Sequence, residues 1–144
     1  MTDYKELTAP CGLDCFNCPL YSENATDEII RMMVDKFGMS ESALPCRGCR
    51  AVKGKVIGLP GCATFNCAAE KGHEFCCDCG EFPCSKLQPM VDGCDRYPHN
   101  MKVFNLCRIK NAGLEKWAEE ESLDIRKKYY RGRFVIGAGP VLDL

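Results

Sequence analysis

CRGCRAVKGKVIGLPGCATFNCAAEKGHEFCCDCGEFPC, residues 46–84, packs eight cysteines into 39 positions. Cys46, Cys49, Cys62 and Cys67 are spaced C-x2-C-x12-C-x4-C, and Cys76, Cys79 and Cys84 follow as C-x2-C-x4-C. A C-x2-C turn aims two sulfurs at one ion while its own backbone N–H groups donate to the thiolates. The first four cysteines therefore predict a structural zinc site. The next three supply most of a second site and need a fourth ligand.

Working toward the N-terminus, Cys11, Cys15 and Cys18 follow the spacing C-x3-C-x2-C. A third knuckle, Cys15 and Cys18, is thus added to Cys46/Cys49 and Cys76/Cys79. The expectation is that Cys15 or Cys18 completes the site begun by Cys76, Cys79 and Cys84, bringing the N-terminus back across the domain. Ten cysteines are then candidate ligands: Cys11, Cys15, Cys18, Cys46, Cys49, Cys62, Cys67, Cys76, Cys79 and Cys84. The expected cofactor is Zn²⁺, two ions per chain. The alternative is a [4Fe-4S] cluster on Cys11, Cys15, Cys18 and one distal cysteine, serving redox chemistry or sensing.

Three cysteines stand outside these spacings. Cys107 falls on an apolar helical face and reads as a small core residue. Cys77 reads as a free or buried thiol beside Cys76, and Cys94 has no assigned role. Of the two histidines, His73 lies three residues before a knuckle and is a weaker ligand candidate. His99 follows Pro98 at a helix start and reads as a surface or capping residue.

The whole chain of 144 residues fits one domain, 1–144. Lys and Arg number 19 and Asp and Glu 20, so the formal charge is −1. That balance argues against a general polyanion binder. Two zinc sites of four thiolates, each with a net charge of −2, would move it to about −5. The first ten residues carry Asp3, Lys5 and Glu6 and no apolar stretch, and no apolar run is long enough for a bilayer. A cytoplasmic protein is the expectation. There an odd count of 13 cysteines in knuckle spacing points to metal rather than to disulfides.

The residues around the cysteines predict a small α+β fold, mainly α. Short helices alternate with irregular metal-stabilised knuckle loops, and a small hairpin closes the chain. A helix is expected over 26–37, with Ile29, Ile30, Met33, Val34 and Phe37 on one face, Asn24 or Thr26 as its cap and Gly38 after its end. Brief helices are expected at 65–71, closed by Gly72, and at 84–92, closed by Gly93, although Pro89 opposes the second. Helical periodicity resumes at Asn100. A last helix carries Leu114, Trp117 and Ala118 toward Ile125, and Phe134 to Ile136 suit a short strand before a Gly-rich turn.

Sharper chemistry finds little support. The N-terminal spacing is similar to that of radical S-adenosylmethionine enzymes, yet the chain is too short for their partial barrel. Asn17 also stands where they place an aromatic residue. With two histidines and no Gly-x-Ser-x-Gly elbow, no catalytic constellation is legible. The run Arg126-Lys127-Lys128-Tyr129-Tyr130-Arg131-Gly132-Arg133 admits two readings. One is nucleic-acid binding by phosphate contact and base stacking. The favoured one is a helix C-terminus whose cations suit the dipole.

Read in order, the motifs resemble one prokaryotic family, domain of unknown function 3795. They are Cys11-Gly12-Leu13-Asp14-Cys15-Phe16-Asn17-Cys18-Pro19-Leu20-Tyr21, Cys46-Arg47-Gly48-Cys49, Cys67-Ala68-Ala69-Glu70-Lys71-Gly72, Cys76-x2-Cys79-Gly80-Glu81-Phe82-Pro83-Cys84, and the stretch from Asn105 to Trp117. The resemblance spans about residues 8–120 and leaves those after about 125 outside. It implies a small, cysteine-rich, metal-binding cytoplasmic protein whose recurring cysteines map onto the ten candidates. It implies no activity and no partner, so a binding or interaction module with an unidentified protein partner is the expected class.

Overall fold

A computed structural model describes residues 1–142 and Leu144. Short helices carry the chain: α1 (Tyr4–Leu7), α2 (Asp27–Phe37), α3 (Ala63–Lys71), α4 (Lys102–Ala112), α5 (Leu114–Lys116) and α6 (Ser122–Arg131). A π-helical turn, Trp117–Glu121, joins the last two. Strands β1 (Phe134–Val135) and β2 (Gly139–Pro140) pair antiparallel, Phe134 opposite Pro140. The architecture is the expected small, mainly helical α+β fold, and the knuckle region is loops and single 3-10 turns.

Local signals explain most of these boundaries. Thr26 caps α2 by accepting from the Ile29 N–H at 3.2 Å, and Gly38 ends it in the left-handed region at φ 63. The apolar face of α2 is less sunken than its periodicity predicts. Ile29, Ile30, Met33 and Val34 are only half-buried, and Phe37 is exposed. Gly72 closes α3 at φ 70 as expected. The helix expected at 84–92 is reduced to one 3-10 turn, Ser85–Leu87. Gln88 is already extended (ψ 150), as a residue preceding proline prefers, and Pro89 has no N–H to continue the ladder. The last helix runs past Ile125 to Arg131, with Asp124 in its first turn and Lys128 and Arg131 in its last. That charge order suits the helix dipole.

Two groups of buried side chains hold the fold. One is conventional: Met101, Ile109, Trp117, Ala118 and Ile125, with Phe16 edge-on to Trp117 at 6.0 Å between ring centres. The other mixes thiols into the core, with Cys11, Cys49 and Cys77 packed among Ala9, Phe75, Leu87 and Leu106. Gly12 allows the N-terminal loop to reach this core. Its φ is +87, and a Cβ there would lie 2.8 Å from Leu106 Cγ. The amide of Asn105 donates to the Gly12 carbonyl at 2.8 Å and pins that approach.

The polar counterpart is an ion pair. Asp14 is fully buried, and Arg126 grips it through Nε to Oδ2 at 2.8 Å and Nη2 to Oδ1 at 2.5 Å. Asn17 donates to the same carboxylate at 3.0 Å and to Ser122 Oγ at 2.9 Å. The Cys11-to-Cys18 loop is thereby tied to α6. Removing one partner of a buried pair strands the other's charge. Arg126→Leu is expected to cost about 3–5 kcal/mol of unfolding free energy in urea titrations, and adding Asp14→Leu to recover part of that loss.

Candidate metal centres

The loops that carry cysteines are joined to one another by backbone hydrogen bonds. Cys46 N–H donates to the Leu20 carbonyl at 2.8 Å, and Ser22 N–H to the Cys46 carbonyl at 2.9 Å. Cys76 N–H donates to the Pro10 carbonyl at 2.8 Å. Arg50 crosses the junction, donating from Nε to the Thr8 carbonyl at 2.9 Å and from Nη2 to the Glu74 carbonyl at 2.7 Å, with its guanidinium over the Phe75 ring. Three segments distant in sequence thus present their thiols to a shared interior.

Two cavities result. The larger, about 250 Å³, is lined by Cys11, Cys15, Cys18, Cys46, Cys49 and Cys62. Val56, Ile57 and Leu59 form an apolar wall, and Tyr97, His99, Lys102 and Arg126 also face it. The smaller, about 60 Å³, is lined by Cys67, Cys76, Cys79 and Cys84, with His73, Lys71 and Glu81 beside them. All thirteen cysteines are unpaired by disulfides. Among the described residues, no group of three or more His, Cys, Asp or Glu side chains is drawn to metal-holding distance.

The partition differs from the one the spacing suggests. Cys62 and Cys67 do not share a cavity, and helix geometry accounts for the split. Cys62 is the residue capping α3 and Cys67 lies five residues on, about 7.5 Å along the axis and 140° around it. Two sulfurs on one zinc ion are at most about 4.6 Å apart. The helix therefore delivers Cys67 to Cys76, Cys79 and Cys84, where it is the fourth thiol that set lacked. Cys15 and Cys18, one of them expected to complete the Cys76 site, both line the larger cavity with Cys46 and Cys49 instead. The parallel bridge between Tyr21 and Cys46 places them there.

Burial dominates the electrostatics. It pushes the thiol of Cys15 up to about 12 from the ordinary 9.0, helped by the neighbouring thiols Cys11, Cys18 and Cys46. Burial likewise carries Cys49 and Cys76 to about 12 and raises Cys11 and Cys18. Backbone donors oppose it. The N–H of Cys49 donates to the Cys15 sulfur, that of Leu13 to Cys11 and that of Leu20 to Cys18. Gly48 N–H donates to Cys46 Sγ at 3.4 Å, the contact a knuckle turn is built to make. In the smaller cavity Lys71 Nζ lies 3.9 Å from Cys79 Sγ and pairs with Glu81.

Other residues fall where sequence logic placed them only in part. Cys77 is buried in the core, and Cys107 is half-buried. Cys94 lines neither thiol cavity. His73 does edge the smaller one. His99, read as a capping or surface residue, instead lines the larger cavity. Its Nε2 bonds the Gln88 carbonyl at 2.8 Å and its Nδ1 meets Lys102 Nζ at 3.1 Å. Lys102 and Arg126 had no signal of their own, because a basic residue on a helix reads by default as solvated. No helix among the described residues is long and apolar enough to cross a membrane.

The raised thiols make a pH prediction for metal-free protein. Unfolded chains ionise near 9.0, whereas Cys15, Cys49 and Cys76 hold their protons to about 12 when folded. Metal-free stability is thus full below pH 9.0 and falls as pH rises from there toward 12. Urea midpoints of the metal-free chain on either side of pH 9.0 check this, and a midpoint that rises with alkalinity would contradict it.

Residues 7–89 match the family described as "Protein of unknown function (DUF3795)", over half of the chain, and the chain belongs to that family. The match takes in all ten candidate cysteines and ends before the stretch from Asn105 to Trp117. No curated protein and no solved structure matches.

Proposed function

We propose that this DUF3795 chain is a thiolate metal-binding protein, with zinc in both cavities and the metals holding its loops in shape for a protein partner. One observation carries the reading. The ten cysteines singled out by spacing divide without remainder between two cavities, six and four, while Cys77, Cys94 and Cys107 line neither. Reduced core thiols have no need of such sorting. Uptake of an ion would have to draw the sulfurs inward from the walls, so metal binding and local ordering would be one event. Structural zinc sites contribute about 10–16 kcal/mol of apparent binding energy to folding. That scale suits a chain whose second core is partly built of thiols.

A second reading, an iron–sulfur centre in the larger cavity, draws on a specific feature. Cys11, Cys15 and Cys18 share that cavity with three distal thiols, and several of these sulfurs accept backbone N–H bonds of the sort that tune such clusters. Nucleic-acid binding by the basic stretch has less behind it. Arg126 is committed to Asp14, and the Tyr129 hydroxyl donates to the Cys94 carbonyl at 2.7 Å.

Elemental analysis with an absorption spectrum, on protein purified without oxygen or added metal, separates the two. Zinc with no visible band is the expected result, and iron with sulfide and a brown colour would establish the second reading. Cys46→Ser combined with Cys49→Ser is expected to lose at least about one ion per chain and much of the cooperative unfolding transition. Unchanged metal content and melting in that variant would overturn the zinc assignment.

A further inference from the structure

We propose that the six-thiol cavity holds two zinc ions joined by bridging thiolates, so that the chain carries about three zinc ions rather than two. The inference rests on the reading that both cavities bind zinc and concerns how the larger one is filled.

The argument begins with ligand number. Tetrahedral zinc takes four ligands, at about 2.3 Å for sulfur. Cys67, Cys76, Cys79 and Cys84 satisfy one ion, and their cavity is small, about 60 Å³. The other cavity is about 250 Å³ and has six thiols. One ion there would leave two thiols unused in a site built of them. Two ions need eight bonds, and six thiolates supply eight when two of them bridge. Ten thiols then hold three ions with none left over.

The remaining walls offer no carboxylate and no free imidazole nitrogen as a competing ligand. No carboxylate is among the residues lining the larger cavity. His99 lines it, but both ring nitrogens are engaged, Nδ1 with Lys102 at 3.1 Å and Nε2 with the Gln88 carbonyl at 2.8 Å. An ammonium that donates to Nδ1 leaves the Nε2 proton to bond the carbonyl, so neither nitrogen presents a lone pair to the cavity.

Charge supplies the independent support. Lys102 is 8% exposed and, among the described residues, forms no salt bridge with a carboxylate. Arg126, the other cation facing the cavity, is already neutralised by Asp14. A buried ammonium bonded to a histidine ring rather than to a carboxylate lacks a counter-ion, which is costly. Six thiolates and two dications leave a net charge of −2, and Lys102 lies at that boundary. Loading is balanced without redox change: six S–H protons leave, two Zn²⁺ enter, and every sulfur remains at the thiol oxidation level.

The test loads the reduced full-length chain with zinc alone, removes unbound metal, and measures zinc per chain together with cysteines open to alkylation. Expected are about three zinc ions, with the ten lining cysteines protected. About two zinc ions, and two alkylated cysteines from the larger cavity, would overturn the bridged pair and leave zinc binding standing. No retained zinc would overturn both. Purified protein carrying iron and sulfide in this cavity would also overturn the pair. Cys67→Ser with Cys79→Ser is expected to retain about two ions, and retention of only one would count against the proposal. Should that variant not fold, cadmium-113 NMR of the wild-type chain decides. Two mutually coupled resonances and one uncoupled are expected, and three uncoupled resonances would overturn the bridge.

Discussion

The carboxylate of Asp14 is the point on which the fold turns. It is fully buried between Cys11 and Cys15, and it is tolerable there only because Arg126, from 112 residues away, closes on both its oxygens. Asn17 donates to the same carboxylate and, through Ser122 Oγ, ties it to the start of α6. Through this contact the loop bearing three cysteines acquires a fixed seat on α6. The six-thiol wall could not form with that loop free, since Cys11, Cys15 and Cys18 make half of it. A buried ion pair is a poor source of net stability, but it specifies one arrangement against alternatives that would strand a charge.

Where local rules govern, the sequence was readable. Thr26 and Gly38 bracket α2, Gly72 ends α3, and the hairpin forms at Phe134 as its Gly-rich turn requires. The ten cysteines that line the cavities are the ten picked out by spacing. The assignment of each to its cavity was not readable. Spacing reports which thiols can turn together locally, and it is silent on a helix interposed between two of them. Cys62 and Cys67 look like partners in a motif and are held apart by the azimuth of α3. Arg126 shows the same limit from the other side. In a run of five basic residues among eight, nothing local distinguishes the one that goes inward. Its partner lies at the opposite end of the chain, a relation that no window of sequence contains.

Cysteine as a core residue explains why the apolar count misleads. Cys11, Cys49 and Cys77 pack with Leu87, Leu106 and Phe75, so thiols do the space-filling that larger side chains do elsewhere. A small apolar thiol contributes modest transfer energy, and burying it raises the cost of ionising it. Protonated, Cys11 and Cys49 are core residues; ionised, each would need a cation beside it. The protein's interior is thus a chemical choice, fixed by what fills it.

Helix α3 joins the two cavities as well as dividing them. The residue that caps it, Cys62, lines one and its second turn brings Cys67 to the other. A short helix moves as a rod, so the two thiols share a single rotational and translational freedom. Whatever restricts that freedom from one end restricts it at the other, and thermodynamic linkage requires the influence to run equally in both directions. An ion taken up in one compartment would in that sense be felt in the other, with the helix as the shaft that couples them.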